Sequence, residues 1–370
     1  MERQRNRTVR LLDRCDIGPA GLISTLRQLR SEQEPTRVND RPRRIAVVGA
    51  GAWGTALGQT MRSAGHDVLL WTHGAATADE INRAHVNSVF LPGIPLDPAL
   101  KATNQLPDIA GSDLILMVTP AQHLRTVATR MRDVVSPGTP VVICSKGIEQ
   151  ASGKLMSAVL AEALPKATPA VLSGPSFAHD VARGLPCAIT VACEDAKLGA
   201  QLANTIGHKL FRPYWTNDIV GVQLGGTVKT VLTIAAGIVQ GRGMGASAHA
   251  ALVTRGFSEL VRFGLAHGGR PETLMGLSGL GDLVLTCGSP QSRNMALGIA
   301  LGQGRSLADA QAGKRSVVEG IPNAAAVTVI AQAKGIEMPV CQAVHAVVSR
   351  AITVEEAIDM LLSRPFKAEF

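Results

Sequence analysis

The sequence predicts an α/β fold in which a doubly wound parallel sheet is followed by an all-α C-terminal domain. Short aliphatic strands alternate with helical segments up to about residue 216, as in a parallel sheet that is covered on both faces. From residue 217 the strand pattern stops and helical periodicity continues alone. The chain of 370 residues is long enough for two such domains, and its 46% hydrophobic and 18% charged residues are typical of a globular protein. The predicted domains are residues 44–216 and 217–370.

A basic segment precedes the first strand. The net charge of the chain is +8, but residues 1–44 hold eleven arginines against six acidic residues, so the remaining chain is nearly neutral. We expect residues 1–43 to be a mostly disordered tail; a short helix over Leu22–Leu29 and a transit peptide are left open. One Tyr, three Trp and seven Phe provide little surface for base stacking, which disfavours a nucleic-acid partner.

Cysteine, histidine and hydropathy patterns exclude further classes of protein. Six cysteines are scattered without a CxxC pair, and nine histidines show no HExxH spacing. These patterns predict reduced thiols in a cytoplasmic protein and no metal site. The apolar segment Ile219–Gln240 is interrupted by Gln223, Lys229 and four glycines, so it predicts a buried core helix and no stable membrane insertion.

The α/β domain opens with the sequence signature of a dinucleotide site. The strand Arg44–Val48 leads into Gly-Ala-Gly-Ala-Trp-Gly at Gly49–Gly54, which is followed by a helix over Thr55–Ala64 and a strand over Asp67–Trp71. A GxGxxG segment in this context, within about 30 residues, indicates a Rossmann-like domain.

Each glycine of this segment has an expected task. Gly49 makes the tight turn, Gly51 lets the backbone approach the pyrophosphate, and Gly54 lets the helix pack on the sheet. The N-terminus of the helix then offers unpaired N–H groups to the phosphates.

The end of the second strand bears on cofactor choice. A carboxylate that binds the adenosine ribose of NAD is usual at this position, but the chain has Trp71, Thr72 and His73. We therefore predict NADPH or NADH as the cofactor, with NADPH accepted and a preference for it left open. His73 either contacts the 2′-phosphate or is a surface histidine.

The alternation of strands and helices continues to residue 216. Helices are predicted over Gln122–Val135 and Gly153–Ala163, and strands over Asp113–Thr119, Pro140–Cys144, Ala170–Leu172, Cys187–Cys193 and Lys209–Trp215. Ligands of such sheets bind at the carboxyl ends of strands, where Lys146 and the loop Ser173–Ala178 are placed. Lys146 is either an anion clamp or a surface lysine.

The second domain is predicted to be helical throughout. Asn217–Asp218 would cap its first helix, and Thr353 with Glu356 has capping-box spacing. The remaining helices are predicted at about Ala246–His267, Pro271–Met275, Met295–Gln303, Ser306–Ala312, Ile321–Gly335, Val340–Val348 and Thr353–Leu362.

One lysine in the first helix of this domain is a candidate general acid or base. Lys229 lies in an apolar run, with Gly225 and Gly226 on the same helical face. Aliphatic surroundings lower the pKa of a lysine, while the glycines are expected to leave room for nicotinamide and substrate. The alternative is a lysine whose ammonium extends to water.

A glycine-rich stretch between later helices is a candidate substrate site. It contains Asp282 within Leu277–Cys287 and is followed by Gln291–Asn294. Arg293 suits bidentate phosphate contact, while Asp282 and Asn294 suit hydroxyls or an ammonium. A solvated loop with ordinary surface side chains is the alternative.

Together these segments carry a family resemblance. Seven motifs in order resemble bacterial NAD(P)-dependent glycerol-3-phosphate dehydrogenase over about residues 44–365: Gly49–Leu57, Ser145–Glu149, Ser173–Ala178, Gly221–Lys229, Gly279–Cys287, Gln291–Asn294 and Val317–Gly320. The resemblance implies the reversible reduction of dihydroxyacetone phosphate to sn-glycerol 3-phosphate with NAD(P)H, for phospholipid synthesis. A phosphorylated triose is thus the expected small-molecule partner, and we expect a homodimer.

The resemblance also implies roles for single residues. Lys229 matches the proton acceptor and donor, and Lys146 matches a lysine near both nicotinamide and substrate. The other matching positions are Gly174, Ser176, Asp282, Ser292, Arg293 and Asn294 for substrate, and Ala52, Trp53, His73, Ala178, Arg293, Val317 and Glu319 for cofactor.

Two positions depart from the family pattern. Ala52 stands where Ser is common, which removes at most one side-chain contact to the cofactor phosphates. Thr230 stands where Asn is usual, and an amide there would be placed to orient substrate or lysine. We expect an altered kcat, not a loss of activity. The alternatives are a β-hydroxyacid or keto-acid reductase of the same superfamily and a non-catalytic NAD(P)H-binding paralogue.

Overall fold

The computed structural model describes residues 42–313, 317–366 and 368. The expected disordered tail, with its possible helix over Leu22–Leu29, falls almost entirely outside these residues. The described residues belong to one compact unit. The predicted domain boundary between residues 216 and 217 therefore stays a proposal. Within the unit, it separates the α/β part from the part that contains only helices.

Aliphatic runs form the strands of the sheet. The strands are β1 (Arg44–Val48), β2 (Asp67–Trp71), β3 (Lys101–Thr103), β4 (Leu114–Met117), β5 (Pro140–Ile143), β6 (Thr168–Ser173), β7 (Cys187–Ala192) and β8 (Phe211–Thr216). In the described part of the chain they form one sheet in the order β3-β2-β1-β4-β5-β6-β7-β8. The strand order reverses between β1 and β4, so the crevice beyond their carboxyl ends is the expected ligand site. The Rossmann-like α/β fold is thus confirmed.

Helices cover the sheet and build the second half of the chain. Those of the α/β part are α1 (Ala52–Ser63), α2 (Ala75–Ala84), α3 (Leu124–Arg130), α4 (Met156–Ala163), α5 (Ala178–Ala182) and α6 (Ala196–Ile206). Those of the helical part are α7 (Ile219–Gly241), α8 (Gly245–Ala266), α9 (Pro271–Leu274), α10 (Asp282–Cys287), α11 (Arg293–Gly302), α12 (Leu307–Gln311), α13 (Gly320–Ala333), α14 (Pro339–Val348) and α15 (Val354–Leu362).

The prediction of a wholly parallel sheet is wrong at one pair of strands. β6 and β7 are antiparallel, with Ser173 opposite Thr190. The connection between β6 and β7 contains only the five-residue helix α5. An antiparallel neighbour needs no crossover connection, so the chain turns back beside β6 through this short helix.

Several predicted bounds also differ from the structure. The helix predicted over Gln122–Val135 is a 3₁₀ turn at Ala121–His123 followed by α3, which ends at Arg130. The helix α2 and the edge strand β3 were not predicted, because α2 buries only Ala78 and Ile81 and β3 is three residues long. The glycine-rich stretch before α10 is a π-helical turn over Leu277–Gly281.

The helix α7 is the centre of the helical part. It is long and apolar enough to cross a membrane, but 94% of its most apolar window is buried inside the protein. A helix that is apolar on every side belongs in a core, as predicted for this segment. Its N-terminus is capped by Asp218, whose Oδ1 accepts a hydrogen bond from the N–H of Gly221 at 2.7 Å.

Candidate active site

The turn after β1 combines two tightly packed glycines with one open glycine. Gly49 has φ of +120°, and a Cβ there would lie 2.8 Å from the carbonyl oxygen of Val118. A Cβ on Gly54 would overlap the carbonyl of Gly49, whereas a Cβ on Gly51 would meet no atom within 4 Å. The turn therefore packs against β4 and α1 on one side and leaves the backbone at Gly51 free to approach a ligand.

A buried asparagine that the sequence did not single out holds this turn. The Nδ2 of Asn87 donates to the carbonyl oxygen of Ala50 at 3.0 Å and to Oγ1 of Thr55 at 2.8 Å. Helix α1 begins without a side-chain cap at Gly51. Its first N–H groups and the positive end of its dipole therefore face the open side of the turn, which fits a pyrophosphate.

Further side chains beside the crevice fit a dinucleotide. Thr72 after β2 is buried and His73 is exposed, and neither position holds a carboxylate. The Oε1 of Glu319 accepts from the N–H of Ala121 at 3.1 Å, and burial raises the pKa of Glu319. Among the described residues, Oε2 of Glu319 and Oγ1 of Thr119 are buried without a partner. They leave polar contacts for a bound group to complete.

The geometric centre of the site is one carboxylate between two lysines. The Oδ1 of Asp282 accepts from Nζ of Lys229 at 3.0 Å, and its Oδ2 accepts from Nζ of Lys146 at 2.6 Å. The Asp282 side chain is 1% exposed and that of Lys229 is 6% exposed, while that of Lys146 is 20% exposed. The three groups come from α10, α7 and the loop after β5. Lys146 is thus neither isolated nor a surface lysine.

This arrangement sets the proton affinity of Lys229. Burial lowers its pKa to about 8, with the positive charge of Lys146 acting in the same direction and Asp282 acting against both. An amine with a pKa near 8 donates and accepts protons readily at neutral pH. The ammonium of Lys229 does not extend to water.

Gly225 and Gly226 do not leave room for ligands, so that expectation is wrong. A Cβ on Gly225 would lie 2.8 Å from the carbonyl oxygen of Ser278, and one on Gly226 would lie 2.7 Å from Oγ of Ser173 and 3.3 Å from Cγ of Lys146. The space beside both glycines is filled by protein. They let α7 approach the π-helical turn and Lys146, which brings Asp282 and Lys146 to Lys229.

The loop after β6 is joined to the same cluster. Nζ of Lys146 donates to the carbonyl oxygen of Gly174 at 3.2 Å, and Oγ of Ser176 donates to that oxygen at 3.1 Å. Gly174 has φ of +145°, which favours glycine, and Ala178 begins α5. The structure therefore places Gly174 and Ser176 at the Lys146 end of the site.

The N-terminus of α11 combines a serine cap with a neighbouring arginine. Oγ of Ser292 caps the helix by accepting from the N–H of Met295 at 3.4 Å, and the side chain of Arg293 is exposed beside it. Asn294 is buried, and its Oδ1 accepts from the N–H of Gly320 at 3.0 Å. The Asn294 amide is therefore partly committed to holding α13, while the helix end and Arg293 suit a phosphate.

Two remaining features concern metals and the segment before α13. Among residues 42–313, 317–366 and 368, no group of three or more His, Cys, Asp or Glu side chains is placed to hold a metal ion. Val317 is 40% exposed and lies close in sequence to Glu319.

Comparisons with known proteins place this chain in a family. The family models described as NAD-dependent glycerol-3-phosphate dehydrogenase N-terminus and C-terminus match residues 44–199 and 218–359. The chain is 55% identical to a glycerol-3-phosphate dehydrogenase (NAD(P)+) of Parvibaculum lavamentivorans over 327 residues, covering 88% of this chain and 98% of that protein. It is also 55% identical to the enzyme of the same name from Caulobacter vibrioides over 326 residues, with the same coverage.

A solved structure agrees with these relatives. The crystal structure of glycerol-3-phosphate dehydrogenase from Coxiella burnetii superposes with a TM-score of 0.84 at 38% identity. The match covers 87% of this chain and 99% of that chain. The agreement extends over both the sheet and the helical part.

Proposed function

This chain belongs to the NAD-dependent glycerol-3-phosphate dehydrogenase family, and we propose that Asp282, Lys146 and Lys229 form the centre of its active site. The enzyme is an oxidoreductase that interconverts dihydroxyacetone phosphate and sn-glycerol 3-phosphate, using NADH or NADPH, and so serves phospholipid synthesis. The observation that carries the site assignment is the buried carboxylate of Asp282, which is shared by the two lysines.

Lys229 is the proposed proton donor and acceptor. When bound, the nicotinamide supplies the hydride to the carbonyl carbon of the substrate or takes it back. Negative charge then develops on the carbonyl oxygen, and the ammonium of Lys229 is the group that protonates it. Lys146 stabilises the same charge, because its ammonium is held beside Lys229 by the other oxygen of Asp282.

Asp282 keeps both lysines in place while leaving the pKa of Lys229 low. Without the carboxylate, two ammonium groups packed this closely would repel each other. When Asp282 is present, it raises the pKa of Lys229, but burial and the charge of Lys146 lower it by more, so the pKa is about 8. The same amine therefore serves reduction when protonated and oxidation when neutral.

The substrate phosphate is assigned to the N-terminus of α11. Arg293 and the free N–H groups after the cap at Ser292 bind it, while Gly174, Ser176 and Asn294 surround the rest of the molecule. Binding a phosphate away from the reacting carbon aligns that carbon with Lys229. An unphosphorylated ketone lacks this anchor and should react poorly.

The dinucleotide is assigned to the crevice between β1 and β4. Gly49, Gly51 and Gly54 shape the turn at the pyrophosphate, and the N–H groups of Ala52 and Trp53 face it. Around the rest of the molecule the assigned residues are His73, Lys146, Ala178, Arg293, Val317 and Glu319. The absence of a carboxylate beside His73 favours acceptance of NADPH.

We also propose a cytoplasmic location and a homodimer. The five described cysteines, 144, 187, 193, 287 and 341, are all free, which supports a reducing, cytoplasmic environment. The homodimer expected from the sequence stays a prediction, and sedimentation equilibrium would test it.

Initial rates test the function directly. The purified chain should consume NADPH when dihydroxyacetone phosphate is added, and much less with unphosphorylated dihydroxyacetone. Parallel assays with NADH give the cofactor preference, and His73→Gln shows whether His73 contributes to it. Turnover of a keto acid in place of dihydroxyacetone phosphate would instead assign a keto-acid reductase. Tight NADPH binding with no turnover of either substrate would assign a sensor.

A further inference from the structure

Thr230 follows the proposed catalytic lysine but faces a different neighbour. Its side chain is 3% exposed, and its Oγ1 donates to the carbonyl oxygen of Thr227 at 2.6 Å. The same Oγ1 accepts a hydrogen bond from Nδ2 of Asn323 at 3.0 Å. Successive residues of a helix point in different directions, so Thr230 is not placed to orient Lys229 itself.

Asn323 connects Thr230 to the loop that carries Lys146. Its Nδ2 also donates to the backbone carbonyl oxygen of Lys146 at 3.1 Å, and its Oδ1 accepts from the N–H of Ile148 at 3.4 Å. Asn323 is fully buried on α13, and Lys146 lies 177 positions earlier in the chain. The amide therefore binds the loop on both sides of Gly147.

The approach of α13 to α7 makes these contacts possible. A Cβ on Gly320, at the first residue of α13, would lie 2.7 Å from the carbonyl oxygen of Thr230. Glycine at this position lets the two backbones come close. Asn323 lies one helical turn later, within reach of the Thr230 hydroxyl. A Cβ on Gly147 would lie 3.0 Å from Oδ1 of Asn323, so the loop also fits closely against the amide.

We propose that Asn323, oriented by Thr230, is a positioning residue that fixes the Lys146 loop so that the Lys146 ammonium reaches Asp282. The inference rests on the proposed function in that Lys146 and Lys229 are the reacting pair. Neither Asn323 nor Thr230 touches the substrate in this assignment. They act on the backbone at Lys146, and through it on Lys229.

Loss of this contact has a consequence that a general loss of stability does not have. The titratable groups that act on Lys229 are Asp282, Lys146 and Cys287. If the Lys146 loop moves away, Lys229 loses a positive neighbour and keeps Asp282 to itself. The pKa of Lys229 then rises toward that of an ordinary lysine.

Four variants test the proposal by steady-state kinetics over a range of pH. Thr230→Val removes the hydroxyl while keeping the branched shape, and should lower kcat about three- to tenfold, the usual worth of one buried hydrogen bond. Asn323→Ala removes the whole link and should lower kcat further. Thr230→Ser keeps the hydroxyl and should restore nearly all of kcat. Thr328→Val is the matched control.

The control lies on the same helix as Asn323. Thr328 is 4% exposed, and among the described residues its Oγ1 has no hydrogen-bond partner. Thr328→Val should therefore leave kcat and the pH profile unchanged. In Thr230→Val and Asn323→Ala, the pKa assigned to Lys229 should move upward. A drop in kcat without that movement, or equal losses in Thr328→Val, would assign a merely structural role and overturn the proposal.

Chemical modification provides a readout that does not require turnover. The Lys146 side chain is 20% exposed, and acetylation of its peptide can be followed by mass spectrometry. Loss of the hydrogen bonds from Asn323 to the Lys146 loop should raise the acetylation rate of Lys146 in Thr230→Val and Asn323→Ala, but not in Thr328→Val. An unchanged acetylation rate of Lys146 in these two variants would contradict the proposed role of Asn323. An inactive wild-type chain with this protection pattern would contradict the proposed function alone.

Discussion

Glycine has opposite tasks in the turn after β1 and in the middle of α7. At Gly51 the space where a side chain would stand is empty within 4 Å, and the backbone faces the crevice. At Gly225 and Gly226 that space is occupied by the π-helical turn, Ser173 and Lys146. The first region is open to a ligand, whereas the second is closed by protein.

The difference shows how binding and chemistry are divided in this protein. The open turn offers backbone N–H groups to a cofactor that binds reversibly. The closed region holds three charged side chains in fixed positions, with water largely excluded. A buried ion cluster is costly to assemble, so its geometry has to be enforced by close packing of backbone on backbone.

The largest expected effect lies in the closed region. Lys229→Ala should lower kcat by about 10²- to 10⁴-fold, the usual contribution of a general acid or base. The dissociation constant of NADPH should change little, because no contact with the cofactor is assigned to Lys229. Rapid kinetics and fluorescence titration measure the two quantities. The exposed Lys197 on α6 provides the control, since Lys197→Ala should leave both unchanged; a Lys229→Ala variant with wild-type turnover would end the assignment.

A methyl group in the closed region should have an intermediate effect. Gly225→Ala places Cβ 2.8 Å from the Ser278 carbonyl, and overpacking of this kind costs about 1–3 kcal/mol. The gain in helix propensity is only about 1 kcal/mol, so the variant should be less stable in urea. Its kcat should also fall, because the π-helical turn that directly precedes Asp282 is pushed away. Gly199→Ala on α6, where Cβ would meet neighbours at an ordinary 3.5 Å, should instead be neutral or stabilising.

The same methyl group in the open region should affect binding alone. Gly51 has φ of −67° and ψ of −179°, which alanine adopts without strain. Gly51→Ala should therefore leave the free energy of unfolding of the cofactor-free chain within about 0.5 kcal/mol. The methyl group would project toward the pyrophosphate and should raise KM for NADPH with less effect on kcat. A large loss of stability in urea, or an unchanged KM, would show that this side of the turn is not open to the cofactor.

The parts of the fold that follow from local patterns were predictable from the sequence. The β1 and β2 bounds, the cap of α7 at Asp218 and the capping box at Thr353 depend on residues a few positions apart. The antiparallel turn from β6 to β7 was missed because alternation of strands and helices does not encode direction. The edge strand β3 was missed because its three residues form no aliphatic run.

For the candidate site, too, only the features that follow from local motifs were predictable. Lys229, Lys146 and Asp282 were singled out from their motifs, but their meeting at one carboxylate depends on contacts across more than 50 positions. The tasks of Gly225 and Gly226 were misjudged, because a sequence does not show what fills the space beside a glycine. Asn87 and Asn323 carried no signal, since an isolated asparagine that binds a distant backbone carbonyl looks like any other polar residue.

The central claim is that Lys229 is the amine that moves the proton, and the pH dependence of both reaction directions tests it most directly. Reduction requires the ammonium, so kcat/KM for dihydroxyacetone phosphate should fall as pH rises through the pKa of about 8. Oxidation requires the neutral amine, so kcat/KM for glycerol 3-phosphate should rise through the same pKa. Two mirror-image profiles with one shared pKa are the predicted result. Profiles that titrate in the same direction, or that show no group near pH 8, would contradict the account.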